Sequence, residues 1–262
     1  MSSPAPSTRR CNMATIGYYH SIESFGLVDG PGVRSILFLS GCPFRCLYCH
    51  NPDTWNLEKN HPITPEEAYQ KLARYSPYWG NNGGITISGG EPLFQLDFLI
   101  EFCKVAKRHN ITIAIDTSGA TFSTDPEYLK KFDELLKVSD LFLLDIKTVD
   151  PELHKKITGK DNANVLALFA YLDKKHYPIW VRHVLVPGLT DDDSLLDRTN
   201  AFLKQFHNIQ RVEVLPYHTL GIIKYQNLGI PYRLEGVEPP SEERVKNAED
   251  RLHIQDYPAY QK

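Results

Sequence analysis

The sequence has no apolar run long enough to cross a lipid bilayer, and this absence excludes a helical membrane protein. It also lacks an excess of either charge, since 29 basic residues stand against 32 acidic ones and the net charge is −3. Basic residues form no group larger than pairs such as Arg9-Arg10 and Lys155-Lys156. Without a strong electrostatic field, we expect neither nucleic acid nor a membrane surface among the partners.

The first fifteen residues lack the apolar stretch of a secretory signal peptide. They are rich in Ser and Pro and carry two arginines and no acid. We therefore expect residues 1–15 to be a disordered leader, unless translation starts at Met13, and we expect a single domain over residues 16–262. Without an export signal, the expected location is the cytoplasm.

Cysteine is too scarce and too clustered for a disulfide framework. The chain has five cysteines, an odd number, and three of them fall within eight residues. A secreted disulfide-rich protein distributes an even number along a much shorter chain. Clustered cysteines without an export signal instead indicate a metal centre in a reducing compartment.

From residue 34 onward, short apolar segments alternate with amphipathic ones. The apolar segments predict strands at 34–40, 84–88, 111–116, 139–145, 178–186 and 210–216. The amphipathic segments predict helices near 64–76, 95–109, 126–138, 162–175, 191–207 and 241–253. Such repeats indicate an α/β fold with a parallel sheet, and six strands are too few for a closed eight-stranded barrel. A partial (β/α)6 barrel of the TIM type and a doubly wound sheet both fit this pattern.

Polar and reactive residues follow the predicted strands where each strand ends, which favours the partial barrel. In a parallel barrel the active site lies at the carboxyl ends of the strands. The residues found there are Cys42, Gly89-Gly90-Glu91, Asp116-Thr117, Asp145, Lys147 and His218, with Arg182 inside the fifth predicted strand. We therefore expect one central site.

The cysteine cluster has the spacing C-x3-C-x2-C, formed by Cys42, Cys46 and Cys49 on the loop after the first predicted strand. Three such thiolates can bind three corners of a cubane [4Fe–4S] cluster, which has four. Cys11 lies in the leader and Cys103 in the apolar stripe of a helix, so neither supplies a local fourth ligand. An open coordination position allows a metal centre to bind a substrate.

Two other interpretations of the cluster remain open from the residues alone. Three cysteines together with His50 could bind zinc, although zinc sites usually combine a C-x2-C pair with a second, distant pair. A chance cluster or a disulfide is the other possibility. As a rival from another functional class, the protein could be a non-catalytic zinc-binding or iron–sulfur scaffold.

The C-x3-C-x2-C spacing, with an aromatic residue before the last cysteine, resembles the radical S-adenosylmethionine superfamily. The motifs Asp29–Arg34 (DGPGVR), Tyr48–Trp55 (YCHNPDTW) and Ser88–Pro92 (SGGEP) are together similar to the activases of glycyl radical enzymes. The similarity covers nearly the whole chain, residues 16–254. It is strongest to the activases of pyruvate formate-lyase, because no additional ferredoxin-like cysteines lie between Cys49 and Cys103.

The resemblance implies the radical SAM fold and two cofactors, a [4Fe–4S] cluster and S-adenosylmethionine. One electron from the cluster would cleave the cofactor to methionine and a 5′-deoxyadenosyl radical, which would abstract a hydrogen atom from a glycine Cα of pyruvate formate-lyase. No acid or base is needed for this step. The resemblance also implies flavodoxin as the usual electron donor, a monomer, and a role in anaerobic metabolism. Another glycyl radical enzyme or a small-molecule substrate is the alternative.

Several residues would contact S-adenosylmethionine if the resemblance holds. The Gly-Gly-Glu motif would bind its amino group, and Lys147 would approach its carboxylate. The full set of implied cofactor contacts is Tyr48, Asn51, Gly89, Gly90, Glu91, Thr117, Lys147, Arg182 and His218.

The resemblance further implies a monovalent cation, Na⁺ or K⁺, beside the cofactor carboxylate. Its ligands would be Asp116, Thr117, Asp145 and the backbone of Leu143. The alternative from the residues alone is an Asp145–Lys147 ion pair that stabilises the mouth of the barrel.

Two residues are candidates for contacts with the protein substrate. Asp29 would meet the backbone of the glycine-bearing loop, although Asp-Gly-Pro-Gly is also ordinary turn chemistry. His50 would either shape the surroundings of the cluster or meet the substrate peptide.

Overall fold

The computed structural model describes residues 15–57 and 60–260. Within this part, the chain forms eight strands and eight α-helices. The strands are β1 (Gly17–Gly26), β2 (Arg34–Leu39), β3 (His61–Ile63), β4 (Gly84–Gly89), β5 (Ile113–Thr117), β6 (Leu141–Asp145), β7 (Ile179–Leu185) and β8 (Ile209–Pro216). The helices are α1 (Pro65–Ala73), α2 (Leu96–Lys107), α3 (Pro126–Lys137), α4 (Pro151–Thr158), α5 (Ala163–Lys174), α6 (Asp193–Leu203), α7 (Ile222–Leu228) and α8 (Glu242–Arg251). Apart from residue 15, the predicted leader lies outside the described residues.

All eight strands belong to one sheet, in the order β3-β1-β2-β4-β5-β6-β7-β8. The six strands from β2 to β8 in this order are mutually parallel, and they are the six that the sequence predicts. Strands β1 and β3 extend the sheet antiparallel beyond β2. In the described residues β3 and β8 are the two edges of the sheet, so the sheet stays open. The α/β class and the six-stranded parallel unit are confirmed.

The two faces of the parallel strands differ in chemistry, as alternation along a strand allows. One face packs against the helices and forms the main hydrophobic core, with Ile87, Ile115, Leu144 and Val181 among its fully buried residues. The opposite face carries polar and charged groups at the carboxyl end of the sheet: Ser88, Asp116, Asp145, Arg182 and Glu213. A sheet with this one-sided helical layer is a partial barrel, since a doubly wound sheet needs an apolar layer on both faces.

The sequence pattern did not predict four elements. Strand β1 has no clear alternation of apolar and polar residues, and β3 has only three residues, one of them a proline. Helices α4 and α7 have eight and seven residues, too few for a distinct helical period. Their stability comes from contacts with the rest of the protein, which local sequence does not encode.

No helix in the described part of the chain is long and apolar enough to span a membrane.

Candidate active site

A cavity of about 290 Å³ lies at the carboxyl ends of the parallel strands. Residues from all six of these strands and from the cysteine loop surround it, as expected for a single central site. The predicted site residues that line it are Asp29, Cys42, Cys46, Tyr48, Cys49, His50, Asn51, Gly89, Gly90, Asp116, Thr117, Asp145, Lys147 and Arg182. Glu91, Leu143 and His218 are not among its lining residues.

The cysteine loop has no helix or strand over residues 40–51, and neighbouring backbone holds it in place. The Gly41 N–H donates to Thr54 O at 2.7 Å, so the segment after the cysteines folds back on the segment before them. The Arg45 N–H donates to Thr158 O at 2.7 Å, at the carboxyl end of α4. Helix α4, which the sequence did not predict, therefore supports the loop that carries the thiols.

The three cysteines are free thiols at one side of the cavity, and each is partly exposed to it. Burial raises the pKa of Cys46 to about 12 and also raises the pKa of Cys42 and Cys49. The Asn51 N–H and the Trp55 side chain donate to Cys49 and lower its pKa in part. Thiolates in such surroundings require a cationic partner, which the irons of a cluster supply.

The donor set fits a cluster better than a single metal ion. Among the described residues, no group of three or more His, Cys, Asp or Glu is arranged to hold one metal ion. His50, the fourth ligand of the zinc alternative, instead stacks on His218 with a centroid distance of 3.9 Å. In a cubane each thiolate binds a different iron, so its three cysteines need not converge on a point.

Gly89 and Gly90 bring bare backbone to the edge of the cavity. Gly89 has a φ of +121°, and a Cβ there would lie 2.2 Å from Leu39 O. A Cβ on Gly90 would lie 2.5 Å from Gly41 O. A side chain at Gly89 would clash with the end of β2, and one at Gly90 would clash with the cysteine loop. The two glycines therefore allow the end of β4 to contact both.

Glu91 is completely buried, and its carboxylate is occupied by other protein groups. It accepts hydrogen bonds from Thr117 Oγ1 at 2.5 Å, from Ser118 N and Oγ at 3.0 and 2.5 Å, and from Leu93 N at 3.0 Å. Burial raises its pKa, while these hydrogen bonds lower it. Its carboxylate thus ties the end of β4 to the loop after β5, a geometry that favours positioning the site over contacting the cofactor.

Arg182 lies at the centre of the charged face of the sheet. Its Nη1 is 3.2 Å from Asp116 Oδ1, its Nε is 3.6 Å from Glu213 Oε2, and its Nη2 donates to Val28 O at 3.1 Å. Burial lowers the pKa of Arg182, but the surrounding carboxylates, led by Asp116, raise it by more than burial lowers it, so the net shift is upward. The guanidinium is therefore charged, and it faces the cavity beside Asp116 and Asp145.

The residues predicted to bind a monovalent cation already bind one another or their neighbours. Lys147 Nζ lies 2.6 Å from Asp145 Oδ2, and Ser88 Oγ donates to Asp116 Oδ2 at 2.6 Å. The Thr117 hydroxyl donates to Glu91. Leu143 is the register partner of Asp116 in the sheet, and its side chain is fully buried. Each of the two carboxylates thus has a cationic partner, Lys147 for Asp145 and Arg182 for Asp116.

The residues that follow the last cysteine make contacts with α7 and the segment before it. His50 Nε2 lies 3.3 Å from His218 O. Burial, followed by the neighbouring His218, lowers the pKa of His50 to about 4. Lys224 Nζ donates to Asn51 Oδ1 at 2.7 Å and lies 3.3 Å from Asp53 Oδ2. The second unpredicted helix therefore fixes the far end of the cysteine loop.

The Tyr48 hydroxyl and His218 Nδ1 are among the buried polar atoms near the cavity that have no hydrogen-bond partner among the described residues. Tyr48 also lies beneath Lys147, whose Nζ is 5.6 Å from the ring centroid. Because buried polar atoms are normally satisfied, both atoms point to a polar ligand in this region.

Sequence reasoning missed several residues of the site, and some signals for them exist. Ser88 directly precedes the glycine pair, and its hydroxyl binds Asp116. Arg211 and Glu213 alternate with the apolar Val212 and Val214 along β8, so the two charged residues share the face opposite the helices. Trp55 and Lys224 have no local signal, because their contacts depend on how distant segments fold together.

The comparisons with known proteins agree with this geometry. Residues 36–198 match the family model of the radical SAM superfamily. The chain is 47% identical over 248 residues to a pyruvate formate-lyase-activating enzyme of Streptococcus mutans, covering 94% of each chain. It is 45% identical over 243 residues to a pyruvate formate-lyase-activating enzyme of Listeria monocytogenes, covering 92% of this chain and 98% of that one.

Solved structures share the fold. A domain of pyruvate-formate lyase-activating enzyme from Bacteroides vulgatus superposes with a TM-score of 0.54 and 24% identity, over 67% of this chain and 96% of that one. A radical SAM methyltransferase from Sphaerobacter thermophilus superposes with a TM-score of 0.60 and 18% identity, over 87% of this chain and 65% of that one. By sequence, the chain belongs to the radical SAM superfamily and, within it, to the family of pyruvate formate-lyase-activating enzymes.

Proposed function

We propose that the cavity at the carboxyl ends of the strands is the active site in which this radical SAM enzyme activates pyruvate formate-lyase. The observation that carries the proposal is the placement of three free cysteines beside the bare backbone of Gly89 and Gly90 and the cationic side chains of Lys147 and Arg182. When bound, the [4Fe–4S] cluster supplies the electron that cleaves S-adenosylmethionine to the 5′-deoxyadenosyl radical, which takes a hydrogen atom from a glycine Cα.

Cys42, Cys46 and Cys49 would hold the cluster. Their loop is held at its start by the hydrogen bond from Gly41 N–H to Thr54 O and in its middle by that from Arg45 N–H to Thr158 O. These contacts would help to set the spacing of the thiols. The Trp55 side chain and the Asn51 N–H would continue to donate to the Cys49 thiolate. Such donors around a ligand sulfur tune the potential of an iron–sulfur centre.

The remaining lining residues would orient S-adenosylmethionine. The backbone at Gly89 and Gly90 would meet its amino group, and Lys147 would meet its carboxylate, since ammonium and carboxylate form a charge-assisted hydrogen bond. Glu91 would act as a positioning residue behind the glycines. Tyr48, Asn51, Thr117, Arg182 and His218 would supply the other contacts, with Tyr48 and His218 offering the buried polar atoms that lack protein partners.

Asp29 and His50 would meet the glycine-bearing segment of the protein substrate. Asp29 lines the cavity from the loop between β1 and β2, and burial raises the pKa of its carboxyl group. A carboxylate there can accept hydrogen bonds from backbone N–H groups of an extended peptide. The open edge of the sheet gives such a peptide a route that a closed barrel would not.

A monovalent cation, Na⁺ or K⁺, would sit among Asp116, Thr117, Asp145 and the Leu143 carbonyl when the cofactor carboxylate is present. The support is that these residues end neighbouring strands β5 and β6. Binding would require the Asp145–Lys147 pair to loosen, with Lys147 turning to the cofactor.

The electron would come from a separate protein such as flavodoxin. The support is that the chain has no cysteines between Cys49 and Cys103 for a second cluster of its own. We also propose that the enzyme acts as a monomer in the cytoplasm, during anaerobic metabolism.

The test is anaerobic reconstitution with iron and sulfide, followed by reduction in the presence of S-adenosylmethionine and purified pyruvate formate-lyase. The proposal predicts about four irons per chain, release of 5′-deoxyadenosine and methionine, and appearance of pyruvate formate-lyase activity. Protein that binds zinc instead, stays colourless and leaves S-adenosylmethionine intact would refute it.

A further inference from the structure

Arg34 is buried, with only 1% of its surface exposed, and every N–H group of its guanidinium donates a hydrogen bond. Its Nε donates to Thr86 Oγ1 at 2.7 Å, and its Nη1 donates to Pro31 O at 3.1 Å and to Thr112 Oγ1 at 3.4 Å. Its Nη2 donates to Ile85 O at 2.6 Å and to Thr112 O at 3.0 Å. All five acceptors are uncharged oxygens, two hydroxyls and three carbonyls.

Such a residue needs an explanation beyond packing. Burying a guanidinium among neutral groups is costly, and here burial lowers the pKa of Arg34 to about 10. An apolar side chain of similar volume is often at least as favourable in a protein interior. What an apolar side chain could not supply is the set of N–H donors of the guanidinium, which connects several backbone segments at once.

The segment connected by this fork is the loop that carries Asp29. Thr86 Oγ1, which accepts from Arg34, donates onward to Asp29 O at 2.6 Å. Gly30 has a φ of +117°, and a Cβ there would lie 3.0 Å from Arg34 Cδ. With Pro31 O also bound to Arg34, residues 29–31 lie directly against the guanidinium.

The loop that carries Asp29 is also hydrogen-bonded to an active-site residue. Arg182 Nη2 donates to Val28 O at 3.1 Å, one residue before Asp29. The Asp29 side chain then reaches the cavity, between these two fixed points. The neighbouring residues Leu27 and Val28 are 64% and 69% exposed, so the loop has little apolar burial of its own to hold it.

We infer that Arg34, acting through Thr86, is a positioning residue that fixes the 29–31 segment so that Asp29 presents its carboxylate to the protein substrate. Among the described residues, no hydrogen bond joins Arg34 to the proposed cofactor contacts or to the cysteine loop. This inference rests on the proposed role of Asp29. It assigns to Arg34 a part in recognition of pyruvate formate-lyase and none in cleavage of S-adenosylmethionine.

The test compares two reactions of the cluster-loaded, reduced enzyme. One is cleavage of S-adenosylmethionine by dithionite without a protein substrate, and the other is glycyl radical formation at varied concentrations of pyruvate formate-lyase. The variants are Thr86→Val, which removes the hydroxyl link, and Arg34→Lys, which removes the fork. We expect each to raise the KM for pyruvate formate-lyase about tenfold, the effect of losing one to two hydrogen bonds, with uncoupled cleavage unchanged.

Three comparisons separate positioning from general destabilisation. Thr86→Ser retains the hydroxyl and is expected to restore the wild-type KM. Thr199→Val removes a hydroxyl equally buried at 1% exposure, on the outer helix α6, and is expected to leave the KM unchanged. Asp29→Asn is expected to raise the KM, and adding Thr86→Val to it is expected to give little further increase, because both changes act on one element.

The possible failures are distinguishable. If Asp29→Asn does not change the KM, the proposed role of Asp29 is wrong and the inference falls with it. If Asp29→Asn raises the KM while Thr86→Val and Arg34→Lys do not, only the inference is wrong. Additive effects in the double variant, or an equal loss of uncoupled cleavage, would also overturn it. Should Arg34→Lys fail to fold, the Thr86 series decides alone.

Discussion

Lys147 Nζ lies 2.6 Å from Asp145 Oδ2. Asp145 is the last residue of β6, and Lys147 follows it by two residues. The pair lines the cavity together with Asp116 and Arg182. Each of these two carboxylates is thus paired with a cation, Asp145 with Lys147 and Asp116 with Arg182. This arrangement also places an ammonium group where a carboxylate of the cofactor could replace Asp145 as its partner.

The proposed cation site predicts that binding of S-adenosylmethionine depends on the identity of the salt. If Lys147 turns to the cofactor, Asp145 needs another positive charge, and K⁺ or Na⁺ would provide it, while Asp116 keeps Arg182 as its partner. Replacing K⁺ with choline at constant ionic strength is expected to weaken binding about tenfold, measured by anaerobic calorimetry. Equal affinity for S-adenosylmethionine in K⁺, Na⁺ and choline would contradict the cation site, and the ion pairs alone would then explain these residues.

The cysteine assignment predicts an all-or-none loss of the cluster. Cys42→Ala, Cys46→Ala and Cys49→Ala should each fail to retain a four-iron cluster and to cleave S-adenosylmethionine, since a missing thiolate leaves an iron without a protein ligand. Iron counting and product analysis after reconstitution measure both effects. Cys103→Ala is the matched control, because Cys103 is fully buried in the main core; it should keep full iron content, and a loss there would argue that folding, not ligation, explains the others.

Arg182 is predicted to stabilise the fold as well as the site. Arg182→Met leaves Asp116 without its cation and leaves Glu213 with only Arg211, whose Nε lies 2.9 Å from Glu213 Oε1. The loss of the cation beside buried Asp116 should lower the free energy of unfolding by about 3 kcal/mol and weaken binding of S-adenosylmethionine. Anaerobic urea unfolding and calorimetry measure the two effects. The control is Arg198→Met, whose partner is Asp150 at 3.3 Å and whose side chain is half exposed; it should cost at most about 1 kcal/mol. Equal losses for both variants would contradict the account.

His183 predicts a specific loss of stability in mild acid. Its Nδ1 lies 2.9 Å from Ile146 O and its Nε2 lies 3.3 Å from Thr190 O, and burial lowers its pKa. Between the unfolded pKa of about 6.5 and the lower folded value, only the unfolded chain binds the proton. The stability that neutral His183 contributes is therefore present above about pH 6.5 and is lost as the pH falls toward the folded value.

The measurement for His183 is urea unfolding at pH 7.5 and pH 5.5 for the wild type and His183→Gln. The wild type should lose about 1 kcal/mol more than the variant between these values. Comparing the two proteins cancels the titration of the other groups. An identical pH dependence in both would show that His183 does not titrate differently on folding.

How well the sequence predicted each element depends on how far apart in the chain its contacting residues lie. The six parallel strands follow from local apolar segments such as Ile85–Ser88 and Leu141–Leu144, and all six were predicted. The site residues at strand ends followed from the same pattern, because parallel strands bring their carboxyl ends together. Helices α4 and α7 and strand β1 did not, since each is held by segments far away in the chain.

Glu91 shows the limit of motif reasoning within the site. The Gly-Gly-Glu motif located the right loop, and both glycines line the cavity. The motif cannot tell which way the carboxylate turns, because the donors that bind it, Thr117 and Ser118, lie 26 and 27 residues away on β5 and the loop after it. Partner residues such as Glu213 and Lys224 were missed for the same reason.

The most direct test of the central claim uses pyruvate formate-lyase deuterated at its glycine Cα positions. The reduced enzyme, S-adenosylmethionine and this substrate are mixed without oxygen and followed by electron paramagnetic resonance and mass spectrometry. The account predicts a glycine-centred radical whose hyperfine splitting is narrower than that from the undeuterated substrate, together with one deuterium in 5′-deoxyadenosine. If S-adenosylmethionine is cleaved but no glycyl radical forms and no deuterium is transferred, pyruvate formate-lyase is not the substrate of this site.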